Sequence, residues 1–444
     1  MPNQIQTTQE SPKIYNLFPR LVGHIENWLS HIKRAYEMGF NWIYINPFHP
    51  TGSSGSLYAI KDHFGFNPLF FGSQDHGRPE KLLRAVIKEA NQLGLKVMAD
   101  LVINHTSKQS LLVTKHPGWY KRDEKGRLIH PGAMDKGKMV YWRDLAEIDN
   151  LNSKDRKALW SYWVSVAKNY LDLGFSGFRC DAAYQVPRDL WAFLIDEVKQ
   201  SHPESVFFAE TLGCSVEQTL EVAKSGFEYI FNSFKWWDIK TSWFIDQHSQ
   251  TRSVVPSVSF PESHDTVRAA AELKDHIPEI KQKYLLAALL TKGVMIPIGF
   301  EFGFHKRLNV KFTSQEDWED TRFDLRGFIR KVNLFKDSQP IFNQEAHLEK
   351  IPVQSSRVIF LAKDTPDGQR CLFIINKDNS KTHTVEADMA DLFSGGNMKE
   401  LSLEQIWKDV PLPFETELKP CEVRILLGEK AKPRPYQAAG DSRT

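Results

Sequence analysis

Eight times in the first 335 residues a short apolar run gives way to an amphipathic stretch. This repeated switch from a period of two to a period near 3.6 restricts the fold more than any other feature of the chain. The strand-like runs are Ile14–Phe18, Trp42–Ile45, Lys96–Ile103, Gly177–Ala182, Val206–Glu210, Tyr229–Asn232, Ser257–Phe260 and Val294–Phe300. The helical stretches that follow them are Glu26–Met38, Lys81–Leu93, Lys154–Leu173, Arg188–Gln200, Val216–Ser225, Lys235–His248, Glu279–Thr291 and Trp318–Phe335. Strands alternating with helices build parallel βαβ units, and eight of them predict a closed (β/α)8 TIM barrel of the α/β class. An open doubly wound sheet shares the alternation, but no G-x-G-x-x-G stands at the first strand–helix turn. Residues 106–150 are polar and aperiodic and are expected to form a short inserted B region. Beyond residue 345 the long helices stop. Val358–Leu361, Cys371–Ile375, His383–Glu386 and Val423–Leu427 read as strands between turns such as Pro366-Asp367-Gly368. The expected layout is a barrel over 1–345, an antiparallel β domain over 346–428 and a disordered tail over 429–444.

Charge and composition remove several classes of function. Lys plus Arg number 57 and Asp plus Glu 55, a net charge of +2. A nucleic-acid binder usually concentrates a basic excess, and none is present here. No run of 18 apolar residues occurs, so no membrane helix is expected. The opening MPNQIQTTQESPK has no apolar core of a secretory signal. Cys180, Cys214, Cys371 and Cys421 are widely spaced with no CxxC pair, which points to a reduced, cytoplasmic protein without a zinc site. Nothing in the sequence fixes an oligomeric state.

In barrels of this kind the chemistry lies at the C-terminal ends of the strands. Four runs end in a carboxylate, three of them with polar company: Asp100 with Asn104 and His105, Asp181 with Arg179, and Asp265 with His264, while Glu210 ends V-F-F-A-E. A lone Asp there is commonly a helix N-cap. Four such ends, three carrying His or Arg, point to a site. Residues i and i+2 of a strand share a face, so Arg179 and Asp181 lie side by side. The guanidinium favours an ionised carboxylate, as a nucleophile needs. Glu210 follows an apolar run that raises its pKa, as a general acid needs. One ionised and one protonated carboxyl suit glycoside hydrolysis. A metal site built from the same Asp, Glu and His residues is the competing reading.

Taken together, D-L-V-I-N-H, G-F-R-C-D-A-A, F-A-E-T and E-S-H-D resemble, in order, the four short motifs of the α-amylase family, glycoside hydrolase family 13. I-D-N-L-N at 148–152 and S-L-Y-A-I-K-D, with Tyr58 and Asp62 in register, extend the match over roughly residues 12–336. The resemblance implies a C-terminal β-sandwich and a retaining double displacement on α-1,4-linked gluco-oligosaccharides, with maltodextrin or another α-glucan as substrate. It makes Asp181 the nucleophile, Glu210 the general acid and then base, and Asp265 the residue that grips the distorted sugar. Arg179 orients Asp181, His105 and His264 bond the sugar, and Tyr58 stacks on it. Asp100 and Asp62 are structural supports.

The chain also departs from the family pattern. Glu262-Ser263 precedes His264 where an Asn is usual, and Ala183-Tyr184-Gln185 follows Asp181 where Lys-His is common. The acceptor side is therefore expected to differ from that of secreted amylases. No cofactor is required on this reading. Asn104 matches a family calcium ligand, but the His whose carbonyl completes that site has no counterpart, so calcium is left open with one named ligand. Trp236-Trp237 suits either a sugar platform or the core, and Glu301 in G-F-E-F-G either the site mouth or a turn. Hydrolysis is the leading expectation and a maltosyltransferase-like transglycosylation its rival. A non-catalytic carbohydrate-binding relative is the third reading, and it is weakened because all three carboxylates are present.

Overall fold

A computed structural model describes residues 10–72, 78–135, 138–387, 392–411 and 413–430. Eight parallel strands close a barrel: β1 (Lys13–Leu17), β2 (Trp42–Ile45), β3 (Lys96–Leu101), β4 (Gly177–Cys180), β5 (Val206–Ala209), β6 (Tyr229–Phe231), β7 (Ser257–Ser259) and β8 (Gly293–Pro297). Each strand pairs with the next, and β1 pairs with β8 in the register Lys13 to Val294. The period of two divides every strand. Ile14, Trp42, Tyr44, Met98, Val206, Phe208, Tyr229, Phe231, Val258 and Met295 fill the barrel interior. Their neighbours, such as Tyr15, Ile43, Val97, Phe207 and Val294, pack outward against the helices.

The outer ring is α1 (Trp28–Glu37), α2 (Arg78–Gln92), α3 (Arg156–Asp172), α4 (Arg188–Lys199), α5 (Val216–Ala223), α6 (Trp243–Thr251), α7 (Ile277–Leu290) and α8 (Arg326–Ser338). In α1 the buried residues are Trp28, Ile32 and Ala35, one face of an ordinary surface helix. By contrast, α7 buries every residue from Tyr284 to Leu290. Its outer side is covered by the C-terminal domain, onto whose Asn376 and Cys421 carbonyls Gln282 Nε2 donates, at 2.8 and 2.9 Å.

Two helices start later than their periodicity predicts. The stretch from Trp318 remains irregular until Arg326, whose backbone N–H bonds the Asp324 carboxylate at the turn into α8. After β6, a single 3₁₀ turn at Phe234–Trp236 precedes α6, which begins only at Trp243. The B region contributes two small antiparallel ladders, His105–Ser107 with Leu145–Glu147 and Gly132–Asp135 with Lys138–Tyr141.

The C-terminal strands are β9 (His347–Ile351), β10 (Val358–Asp364), β11 (Gln369–Asn376), β12 (His383–Ala387), β13 (Phe393–Leu401), β14 (Trp407–Asp409), β15 (Phe414–Leu418) and β16 (Val423–Lys430). Six form one antiparallel sheet in the order β9-β10-β11-β16-β13-β14, and β12 pairs with β15. Phe360, Leu372 and Ile374 meet Val385, Phe414 and Leu418 of the small sheet. Leu361, Phe373 and Ile375, on the opposite face, join the barrel core. Burial on both faces explains why β10 and β11 read as unbroken apolar runs. Glu429 and Lys430 finish β16 and do not belong to a tail. The rest of the expected tail, 431–444, lies outside the described residues.

Candidate active site

Strand register brings the polar residues together. β3 pairs with β4 so that Asp100 stands beside Arg179, and Met98 below Asp100 marks that row as interior. Arg179 Nη1 lies 3.0 Å from Asp100 Oδ1 and 2.6 Å from Asp181 Oδ1. Its Nη2 is 3.8 Å from Glu210 Oε2. One buried guanidinium thus reaches three carboxyls on three adjacent strand ends. Tyr44 and Tyr58 both donate their hydroxyls to Asp100 Oδ2 at 2.6 Å, and Asn46 Nδ2 donates to both phenol oxygens. His264 Nε2 sits 2.9 Å from the Tyr58 hydroxyl and 3.0 Å from Asp265 Oδ2. Its ring lies nearly parallel to that of Tyr58, with centroids 5.9 Å apart. Arg179, Glu210, His264 and Asp265 line one pocket with Tyr44, Leu212 and Ser263, over an apolar floor of Phe231, Phe260 and Met295.

Burial sets the electrostatics. It pushes the Glu210 carboxyl up to about 7; Arg179 opposes the shift, and the Asp181 and Asp265 charges add to it. Glu210 Oε2 accepts the Ala182 N–H at 2.9 Å and Oε1 the Leu212 N–H at 2.6 Å, which fixes the carboxyl over the pocket. Ala182 donates from a left-handed backbone, φ +40°, a strained conformation for a residue with a Cβ. Burial also raises the Asp181 and Asp100 carboxyls, with Arg179 as the main opposing influence on both. The guanidinium therefore offsets desolvation of Asp181 and does not carry its carboxyl below the ordinary range. Burial lowers His264, and lowers His105 to about 4, so both rings are neutral at pH 7.

Not every residue expected at the site comes to the pocket. His105 turns Nε2 to the Tyr58 carbonyl, 3.1 Å away, and so steadies the Tyr58 loop. Asp62 is exposed and accepts the Phe64 N–H within its own tight turn; it makes no bond to Tyr58. Glu301 is fully buried. It accepts from Tyr15 Oη, Arg34 Nε and the Gly299 N–H, and so holds a turn below the mouth. The Trp doublet divides: Trp237 is 8% exposed and Trp236 52%. Ser263 supplies the turn bond where the family usually has Asn, its Oγ accepting the Asp265 N–H. Glu262 is buried against Arg268 at 3.0 Å. Tyr44 and the floor residues Phe231, Phe260 and Met295 escape sequence reasoning, because in a strand they look like ordinary core. The inward phase of Tyr44, two residues before Asn46, was the available signal.

The Asn104 side-chain oxygen is buried and unpartnered, while its amide donates to Gln185 Oε1 at 3.1 Å. Calcium takes six to eight oxygens. Among the described residues the one close grouping of three acidic, His or Cys side chains is His276, Glu279 and Cys421, and none of these is Asn104's neighbour in the site.

The chain is a closed TIM barrel with a buried carboxyl–guanidinium cluster at its strand ends and an antiparallel C-terminal domain. The family model for the glucanotransferase domain of glycogen debranching enzyme matches residues 6–136. An alpha-1,4-glucan:maltose-1-phosphate maltosyltransferase of Burkholderia pseudomallei is 23% identical over 382 residues, 83% of this chain and 33% of that protein. Alpha-amylase 2 of Dictyoglomus thermophilum is 25% identical over 413 residues, covering 86% and 68%. The crystal structure of an alpha-amylase from Lactobacillus plantarum superposes with a TM-score of 0.76 at 22% identity, covering 95% of this chain and all of that one. The chain is thus similar to maltosyltransferases and amylases, and these likenesses support a place in the α-amylase family. It spans 33%, 54% and 60% of the length of three curated maltosyltransferases it matches.

Proposed function

We propose that the protein cleaves α-1,4-linked gluco-oligosaccharides with retention, by a two-step displacement. The observation that carries this reading is one buried guanidinium shared by Asp100, Asp181 and Glu210, which lies against Asp181 at 2.6 Å while Glu210, 3.8 Å away, is pushed up to about 7 by burial. Asp181 attacks the anomeric carbon while Glu210 protonates the leaving oxygen. Glu210 then deprotonates the incoming hydroxyl as the Asp181 ester breaks. Asp265, half exposed at the mouth beside His264, binds sugar hydroxyls. Tyr58, fixed by Asp100 and His264, offers a ring face to the same sugar. Asp100 orders the cluster and Asp62 takes no part. No metal or cofactor enters these steps. Water and a sugar hydroxyl compete for the same intermediate. Hydrolysis is the primary assignment, and the maltosyltransferase relatives favour transfer as the second. All four cysteines are free, which supports action in a reducing cytoplasm. The test is incubation with maltoheptaose, reading product lengths by mass spectrometry. Glu210→Gln should cut turnover by about 10²–10⁴-fold while circular dichroism stays unchanged. Turnover within about tenfold of wild type in Glu210→Gln overturns the proposal, and a wild type that binds the sugar without cleaving it establishes the binding-protein reading.

A further inference from the structure

Where the C-terminal domain closes over the start of α7, three unlike side chains converge. His276 stands just before α7 and Glu279 lies in its first turn, three positions apart and so on one face of the helix. Cys421 arrives from the turn between β15 and β16. One donor atom from each lies within 4.8 Å of the other two. His276 Nδ1 is 3.7 Å from Glu279 Oε2, and that nitrogen is buried with no hydrogen-bond partner. Glu279 Oε2 accepts from Asn379 Nδ2 at 3.3 Å, and the Cys421 thiol points no closer than 4.0 Å to the Asp378 carbonyl. The backbone under Cys421 is also out of the ordinary. Lys419 O accepts the Glu422 N–H at 3.0 Å, which closes a four-residue turn with Pro420 second and Cys421 third. Cys421 has φ +57°. This is the pattern of a type II turn, whose third position belongs to Gly or Asn because a Cβ is strained there. A thiol held at a glycine position, within reach of His276 and Glu279, is not explained by the turn itself.

Imidazole nitrogen, carboxylate oxygen and thiolate sulfur together make a donor set for zinc, whereas calcium and magnesium take oxygen. Zinc bonds of about 2.0–2.3 Å in a tetrahedron put neighbouring ligand atoms roughly 3.3–3.8 Å apart. The His276–Glu279 pair already has that separation, and both side chains are part-exposed and free to rotate toward the buried Cys421. One thiolate and one carboxylate cancel the two charges of the ion. A filled site therefore adds no net charge near Lys377, whose ammonium donates to Gln282 Oε1 at 2.9 Å. We infer that His276, Glu279 and Cys421 form a zinc site, with water as the fourth ligand, that ties the start of α7 to the β15–β16 turn. The Cys421 S–H releases its proton to solvent as the sulfur bonds the metal. The ligands are far apart in the sequence, so no CxxC spacing announces them. The site reinforces the junction at which Gln282 bonds the Asn376 and Cys421 carbonyls, and it uses none of the residues that carry the double displacement.

The test uses the full chain, treated with chelator and kept reduced, and titrates cobalt(II) as a spectroscopic substitute that zinc then displaces. One equivalent should bind with a thiolate-to-cobalt charge-transfer band. The band should vanish in Cys421→Ser and persist in Cys214→Ser, which removes the other partly exposed thiol. Three protein ligands in place of a zinc finger's four lead to an expected zinc dissociation constant of about 1 µM, weakened about tenfold or more in His276→Gln. Saturating zinc should raise the melting temperature of wild type by about 2–5 °C and leave that of both ligand variants where it was. His276→Gln alters a part-exposed position and reads the site even if Cys421→Ser does not fold. A wild type without the charge-transfer band, a band that survives Cys421→Ser, or a zinc affinity indifferent to His276→Gln overturns the site.

Discussion

Arg179 is wedged between carboxyls that burial would otherwise neutralise, and that makes it the residue most sensitive to change. Arg179→Leu leaves Asp100 and Asp181 buried without their cation, a loss of about 3–5 kcal/mol. A lower denaturant midpoint together with lost turnover would be the measured result. Glu210 sets the pH response. Its acid form is the one that protonates the leaving group, so kcat/KM should fall about tenfold per pH unit above about 7, measured on a soluble chromogenic maltoside. Since the folded carboxyl is raised from 4.5 to about 7, its protonated form stabilises the fold below that window, and this contribution is lost as pH rises through it. The melting temperature of wild type should therefore fall more steeply than that of Glu210→Gln between pH 4.5 and 7. Glu210→Gln itself should lose about 10²–10⁴-fold in kcat, the usual contribution of a general acid. The pairing of Arg179 with Asp181 was legible from a two-residue spacing in a strand. The net upward shift of Asp181 was not, because desolvation depends on what the rest of the barrel packs around it. Tyr44 was hidden for a related reason: W-I-Y-I spells a buried strand whether or not its phenol meets a carboxylate.

The strand–helix units show the same division. The eight strands were readable because each is short, apolar and bounded by turn residues. Helix starts were less readable, as α8 shows: the residues from Trp318 have helical spacing, but Trp318 packs edge-on to Phe304 and beneath the Arg34 guanidinium. Tertiary contacts hold that segment irregular until Arg326. The turn after β8 is the most constrained of these connections. Gly299 has φ +92°, and a Cβ there would collide with the Arg268 guanidinium and the Phe304 ring. Gly299→Ala combines a left-handed backbone with a clash and should cost about 1–3 kcal/mol or more. Because Glu301 accepts the Gly299 N–H and Arg268 holds Glu262, the substitution should also lower kcat, with thermal unfolding and initial rates as the two readouts.

Across the whole molecule, the C-terminal sheet is a working part of the core. The apolar face of β10 and β11 completes the burial of α7, whose second half, Tyr284–Leu290, is buried throughout and carries no charged residue. Gln282→Ala removes the donors for two buried carbonyls and should cost about 1–3 kcal/mol, seen as a lower urea midpoint in a single shared transition of both domains. Two separated transitions would show that the sheet and barrel unfold independently. The layout of barrel followed by β domain was visible in the change of periodicity, but the burial of one sheet from both sides was visible only as a shortage of polar residues in V-I-F-L-A and C-L-F-I-I. The closure of the barrel through β1 and β8 carries a consequence for how the chain is born. Lys13 must wait for Val294, about 280 residues later, before the ring is complete. At about 5–20 residues per second on the ribosome, β1 stands as an open edge for roughly 15–60 seconds. During that interval the nascent chain offers unpaired backbone to any strand it meets. Chaperone demand in the cell, and aggregation on rapid dilution from denaturant, should therefore follow the lifetime of that one unmet edge more closely than they follow the final stability of the fold.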